Sequence, residues 1–444
     1  ISEQIESTQA AFEAGASICH AHVRNADQTP TADPEKFAAL KEGLVKADWK
    51  VLCEGAVKIG IKTILIEANE QPGGYMGTFE RDGVSFDFGI RAIENSGVVK
   101  PLLEDLGVRK EVTFLPNVVG QHVIDHLYPI RDVDDSMAYL DGLVNLFPHQ
   151  EKELEIVKEL VKKSIKDTSS LYGAENPLFS KGFNKLFKSI AFIAKNFKLM
   201  KDLSNPDSDS RVPMEEFFTR YISDEKLISV LTSEFFERSP SYFVLSYHRL
   251  FFDYMYPKGG MQMIPRALVK VIKKYKGDVY TSTKVERITG DGPFKLILED
   301  KSIIRAKRVI IATDPTQFSE VTGIKKGSYR PGESVFTLFV TVDVPVSEVA
   351  PHNIGHLFHM DSISHTIAEA RNASLKDFAK FSNIEVSIPS VRDPSLAPKD
   401  KTGIIMSAPM FAKTDNYDWL NVSDEEYEKI LTQGFNDLNI NGGF

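Results

Sequence analysis

The chain has 444 residues and a formal net charge of −9, with 42% apolar and 26% charged residues. That length allows two or three domains with full cores in a composition ordinary for a globular protein, and no overall basic balance is present to attract nucleic acid. Cys19 and Cys53 are the only cysteines, which excludes a disulfide framework or a cysteine-rich metal site. No run of about 18 apolar residues is available to span a bilayer. The start at Ile1 has no secretory pattern, so the expected location is the cytoplasm.

Residues 1–47 read as a separate piece. Ile5, Thr8, Ala11, Phe12 and Ala16 fall near helical spacing, and Ala16 to Val23 (ASICHAHV) reads as a strand. His20 and His22 sit two apart, so a strand would point both imidazoles to one face, a spacing that suits a zinc or iron pair. The bland alternative is two polar residues at a strand end. The stretch EAGASICHAHVRNADQTPTADPEKFAAL resembles the early part of the β-keto acid cleavage enzymes, zinc-dependent TIM barrels. The resemblance implies zinc ligands at His20 and His22. It stops near residue 47, whereas a barrel takes about 250 residues and draws its further ligand and substrate groups from later strands.

A helix is predicted over Lys50 to Ile59 with Gly60 as its stop. Ile64, Leu65 and Ile66 then make a short buried parallel strand ending at Glu67. A carboxylate at such a strand tip can accept hydrogen bonds from both ribose hydroxyls of an adenosine. Pro72 fixes a turn into Gly73 and Gly74, where a backbone without Cβ can approach a pyrophosphate. Asp87-Phe88-Gly89 closes the stretch.

After Val98 the chain turns helical. Val98 to Leu106 is a short helix and Val118 to Tyr128 is strand and turn, with His122 and His126 read as ordinary surface residues. Gln150 to Lys166 is an amphipathic helix with Leu154, Val157, Leu160, Val161 and Ile165 on its apolar side. Residues 181–201 carry Phe183, Leu186, Phe187, Ile190, Ile193, Ala194, Phe197 and Met200 as one stripe, with lysine at every charged position. Such a helix either packs its stripe into a core and solvates its basic face, or lies in a bilayer surface. Pro213 to Tyr256 is rich in aromatics for a core or an apolar tunnel.

Downstream, Ile264 to Tyr275 is predicted as a helix. Asp278 to Ser282, Val285 to Thr289, Phe294 to Leu298, Ser302 to Ala306 and Val309 to Ala312 are predicted as strands. Val335 to Val342, Ile384 to Ile388 and Ile404 to Ala408 read as an antiparallel sheet. His352, His356, His359 and His365 have no acidic partner at ligand spacing and read as incidental.

Residues 52–95, with LCEGAVKIGIKTILIEANEQPGGYMGTFERDGVSFDFG, resemble the phytoene desaturase and amine-oxidase-like FAD-dependent oxidoreductases. The resemblance resumes at Tyr256 to Met261 (YPKGGM), Val285 to Ile288 (VERI), Arg308 to Pro315 (RVIIATDP) and Pro389 to Pro398 (PSVRDPSLAP). It implies that FAD is held by Glu67 at the ribose, Gly73 and Gly74 at the pyrophosphate side, Val285 at the adenine, Gly259, Gly260 and Met261 at the flavin edge, and the turn Ala312, Thr313 and Asp314. It implies an apolar polyene or isoprenoid substrate, and a reason for residues 181–201 to touch the inner face of a membrane.

A complete dinucleotide domain also has a first strand and a G-x-G-x-x-G turn before its helix. LVKADWK, Leu44 to Lys50, contains no glycine. A last glycine-rich segment is also missing before Phe444.

The expected fold is α/β: a Rossmann-like FAD/NAD(P)-binding domain (48–97 and 255–330) with an inserted α+β substrate domain (98–254 and 331–444), plus a foreign N-terminal α/β fragment (1–47). The expected function is an FAD-dependent oxidoreductase of C–C bonds on a truncated, chimeric chain, with no catalytic acid or base legible. Zinc-dependent β-keto acid cleavage and a non-catalytic remnant stay open as alternatives.

Overall fold

The computed structural model describes residues 62–423 apart from 96, 173–182, 237, 314, 325–332, 351, 361, 367, 368, 370–382, 412, 415, 416 and 419–422. The expected helix and strand of residues 1–47, His20, His22, the helix from Lys50 and Asp314 lie outside the described residues. The chain divides into two compact units, each taken by itself below.

The first unit comprises residues up to Gly74, Leu106–Val108 and Ile264–Tyr329. Its strand Ile64–Ile66 pairs in parallel with Asp278–Tyr280, Leu65 opposite Val279. The ladder runs one step further, where the Glu67 amide donates to the Tyr280 carbonyl at 2.9 Å. The helix Met263–Lys274 precedes the second of these strands. Ile264, Ala267 and Val271 are its buried face, and Lys273 and Lys274 lie in its last turn, where cations offset the helix dipole. The chain then turns so tightly at Gly277 that a Cβ there would stand 2.6 Å from Ile272 Cγ2. Val285–Thr289, Phe294–Leu298 and Ile303–Ala306 follow as a three-stranded antiparallel meander. The expected strand Val309 to Ala312 does not form. Strand structure needs a hydrogen-bonded neighbour, and no described segment pairs with those residues.

The second unit comprises Tyr75–Asp105, Arg109–Met263 and the chain from Arg330. Its centre is a six-stranded sheet in the order Glu333–Val342, Thr402–Phe411, Ile384–Ser387, His356–Met360, Val119–Val123, His126–Ile130. All neighbours are antiparallel except His356–Met360 with Val119–Val123, which run parallel. The expected antiparallel strands are present. The unexpected strand is His356–Met360, which has no β-branched residue to announce it.

Because side chains alternate across a sheet, the register sorts the two faces. Leu338, Met406, Val386, Leu357, Gly120 and Pro129 oppose one another across all six strands, and Leu357, Val386 and Met406 are buried in one apolar cluster. The other face carries the row Thr337, Ser407, Glu385, Phe358, Gln121 and Tyr128. A second core lies among helices, where Leu140 and Leu143 of Val133–Leu146 join Leu154, Val157, Val161 and Ile165 of Glu151–Tyr172. This is the apolar side of the amphipathic helix expected from the sequence.

On the helix Phe183–Ser204, four residues of the stripe are not packed into a core. Ile190, Ile193, Phe197 and Met200 are exposed, at 56%, 48%, 61% and 39%. The residue buried between them is Asn196, whose amide donates to the Phe192 carbonyl. Hydrophobic spacing shows that a stripe exists and says nothing of what faces it.

Candidate cofactor and substrate sites

In the first unit, Glu67 stands half-buried where the parallel strands end. The Asn69 amide and side chain both donate to its Oε1, at 2.8 and 2.9 Å, which fixes the carboxylate and leaves Oε2 for another donor. The Glu67 carbonyl accepts from Thr283 N–H at 2.9 Å, so Glu67, Asn69, Thr283 and, two residues on, Val285 gather at one end of the pair. Gly73 and Gly74 have φ of 135° and 53°, and a Cβ on Gly74 would meet nothing within 4 Å. A left-handed glycine that faces open space is a backbone free to receive a ligand. Arg266, which no motif announces, donates to Gln71 Oε1 at 3.1 Å and puts a positive charge beside this turn. These residues fit the adenosine diphosphate end of a dinucleotide. Ala312 and Thr313 are exposed and lie outside the described strands.

In the second unit, three stretches far apart in sequence meet at Asp87. Its Oδ1 accepts from Thr78 Oγ1 at 2.7 Å and from the Met261 amide at 3.0 Å, and its Oδ2 from Tyr256 Oη at 2.5 Å. Gly259 N–H donates to Asp393 Oδ2 at 2.7 Å. The Arg392 guanidinium lies 4.3 Å from the Tyr256 ring centroid. Gly259 and Gly260 have φ of 90° and 94°, and a Cβ on Gly260 would stand 2.6 Å from Thr78 Oγ1. The glycines at 259 and 260 thus have a packing reason of their own.

The polar face of the sheet holds a charged network. Arg91 Nη1 donates to Glu385 Oε2 at 2.8 Å and Nη2 to Ser407 Oγ at 2.5 Å. Arg392 donates to the Arg91 carbonyl at 3.1 Å and to Ser387 Oγ at 2.7 Å. His356 Nε2 stands 3.2 Å from Glu385 Oε1, an ion-pair distance off the line of a hydrogen bond. Burial pushes the Glu385 carboxyl up, but the contact with His356 and the charge of Arg91 outweigh it and hold it at about 2. Burial pushes His356 down. Burial pushes Glu234 up to about 8 against the lowering effect of its bond with Gln121. Tyr254 donates to Tyr247 at 2.7 Å, and burial raises both phenols.

Two of the histidines read as incidental, His356 and His359, make specific contacts. His356 is buried, and its acidic partner comes from the neighbouring strand, diagonal to it on the same face. His122, read as a surface residue, is half-buried and directly opposite His359, with Nδ1 atoms 2.5 Å apart and rings stacked at 4.7 Å. Among the described residues no group of three or more His, Cys, Asp or Glu could hold a metal ion.

The profile of the flavin containing amine oxidoreductases matches residues 58–438, and that of the β-keto acid cleavage enzymes matches residues 1–81. The chain is 23% identical over 421 residues to a 4,4'-diapophytoene desaturase (4,4'-diaponeurosporene-forming) of Staphylococcus aureus, covering 85% of this chain and 76% of that protein. It is 61% identical over 46 residues to a 3-oxoadipate:acetyl-CoA acetyltransferase of Cupriavidus necator, covering 10% of this chain and spanning only 16% of that relative. A solved oxidoreductase from Methanosarcina mazei is similar at 15% identity and a TM-score of 0.48, covering 86% of this chain and 79% of that one.

Proposed function

Because the chain belongs to the family of flavin containing amine oxidoreductases, we propose that it is an FAD-dependent oxidoreductase of the phytoene desaturase type, acting on C–C bonds of an apolar polyene or isoprenoid. The observation that carries the reading is Glu67, fixed through one oxygen with the other open, beside two glycines in the left-handed region. Glu67 receives the ribose hydroxyls, the Gly73–Gly74 backbone and Arg266 the diphosphate, and Val285 the adenine. By the resemblance, Gly259, Gly260 and Met261 face the flavin, and their bonds to Asp87 and Asp393 keep that loop in one shape. Bound flavin supplies a two-electron acceptor. The protein supplies orientation and a dry surface, for which Phe358 on the polar face of the sheet and the aromatics Tyr247, Phe251 and Tyr254 are suited. The named substrate of the Staphylococcus relative supports the substrate class.

The exposed stripe of Phe183–Ser204, with Lys195, Lys198 and Lys201 on the same helix, supports peripheral contact with a lipid surface. No described helix is long and apolar enough to cross a membrane. The lyase reading has support from residues 1–81 alone, and a barrel lyase needs ligands from later strands.

The test is an absorbance spectrum between about 350 and 500 nm after incubation with FAD, since a flavin carries its own chromophore, followed by anaerobic mixing with acyclic polyenes. A bound two-banded spectrum that bleaches with polyene supports the reading. A protein that takes up no FAD overturns it.

A further inference from the structure

Resting on the proposed oxidation of a C–C unit, we infer that Nδ1 of His356 is the proton acceptor of that reaction, with Glu385 as the carboxylate that orients the imidazole and Arg91 as the group that fixes Glu385.

Three observations carry the inference. His356 is 4% exposed, and neither of its ring nitrogens has a hydrogen-bond partner, Nε2 standing only at ion-pair distance from Glu385. A buried polar atom without a partner is costly and rare, so Nδ1 marks a place where something outside this chain arrives. Second, the other nitrogen faces a carboxylate. Glu385 at 3.2 Å favours the hydrogen on Nε2, which leaves Nδ1 a bare lone pair. Third, the surroundings are aromatic: the Phe358 and Tyr254 rings lie 5.4 and 5.9 Å from the imidazole. Glu385 keeps 30% of its side chain accessible while burial acts strongly on its carboxyl.

Removing hydrogen from a saturated C–C unit needs two acceptors. One C–H bond would break with its electron pair leaving as hydride to the two-electron acceptor that bound flavin would supply. The C–H bond on the adjacent carbon breaks with its pair becoming the new π bond, and that proton forms the N–H bond at Nδ1. The imidazolium then faces the Glu385 carboxylate. The charged and titratable groups around His356 are Glu385, which favours its protonation, and Arg91 and Arg392, which oppose it, with the Tyr254 phenol beside the ring. Burial and the two guanidiniums keep the imidazole neutral, as a base must be before it acts.

Two readouts test this. In 15N-histidine NMR of the whole protein at pH 7, His356 is expected as the neutral Nε2–H tautomer; a hydrogen on Nδ1 overturns the inference. Glu385→Gln removes the charge that favours protonation, and is expected to move the His356 titration to lower pH; an unmoved titration overturns the pairing. In FAD-loaded protein, His356→Ala is expected to keep its flavin content and its KM while kcat falls roughly 10²- to 10⁴-fold, with partial rescue by added imidazole. His356→Gln, which preserves more of the packed volume, serves the same comparison where the alanine variant fails to fold. A wild type idle on every polyene defeats the parent reading of function. An active wild type with an equally active His356 variant, or a loss matched by lost flavin, defeats this one alone.

Discussion

The Tyr256 hydroxyl donates to the Asp87 carboxylate at 2.5 Å, joining the strand Met255–Pro257 to the end of the strand Val84–Asp87 across 169 residues of sequence. Asp87 is fully buried and also receives the Thr78 hydroxyl and the Met261 amide. Removing the carboxylate leaves three donors stranded, and each costs about 1–3 kcal/mol. Asp87→Ala is therefore expected to destabilise the protein by about 4 kcal/mol, given that the site partly relaxes. Tyr256→Phe, which removes one donor and strands no amide, is expected to cost about 1 kcal/mol. Urea unfolding of the two variants checks the order, and a larger loss for Tyr256→Phe would contradict the hub.

Glu67 separates cofactor binding from folding. Its Oε1 bonds to Asn69 are kept by an amide oxygen, so Glu67→Gln is expected to leave stability nearly unchanged. It removes the charge that strengthens hydrogen bonds from ribose hydroxyls, and FAD affinity is expected to fall about tenfold. Gly74→Ala has room for its methyl but holds φ at 53°, which costs an L-residue about 1–2 kcal/mol. A drop in FAD affinity beyond that strain is expected if the backbone there meets the diphosphate. Flavin fluorescence titration beside thermal unfolding gives both numbers.

What was legible in the sequence follows the range of the interactions. The strands Ile64–Ile66, Asp278–Tyr280 and Phe294–Leu298 are short β-rich runs beside turns, and local pattern located them. The buried face of Glu151–Tyr172 was equally plain, since helical spacing repeats within one element. The Asp87 hub was visible only as three separate quotations, DFG, YPKGGM and PSVRDPSLAP, with nothing to say that Asp87, Met261 and Arg392 share a neighbourhood. The pairing of His356 with Glu385 is not legible, and His356 alone reads as incidental. Their contact depends on the register of two strands, and no spacing of 29 residues announces it. Val309 to Ala312 failed in the opposite way: local pattern favoured a strand, but pairing decides one.

Glu234 makes stability fall with pH. Its folded pKa of about 8 lies above the ordinary glutamate value of 4.5, so across that interval the folded protein keeps a proton that the unfolded chain has released. Stabilisation is full below about 4.5 and is lost as pH rises through about 8. Glu234→Gln keeps a hydrogen-bonding partner for Gln121 and has no proton to lose. The variant is expected to match wild type near pH 5 and to become progressively more stable than it up to about pH 8–9, in urea midpoints measured at stepped pH. Parallel curves for the two proteins would mean that Glu234 is solvated and ionised like an ordinary carboxylate.

The exposed stripe Ile190, Ile193, Phe197 and Met200 repeats at intervals of three and four, so its members share one side of the Phe183–Ser204 helix. Large apolar side chains left in water at such density mark an interaction surface, and the lysines at 195, 198 and 201 favour an anionic lipid surface over a neutral one. Ile190→Asp with Phe197→Glu touches no buried contact of the second unit, so unfolding should move by no more than about 0.5 kcal/mol. Co-sedimentation with vesicles of anionic phospholipid should fall at least tenfold in the double variant. Replacing Lys195, Lys198 and Lys201 with glutamate should weaken binding to anionic vesicles while leaving the weaker binding to neutral ones. Unchanged sedimentation in both variants would assign the stripe to a protein partner, because a bilayer cannot accept two new carboxylates at its apolar depth without cost.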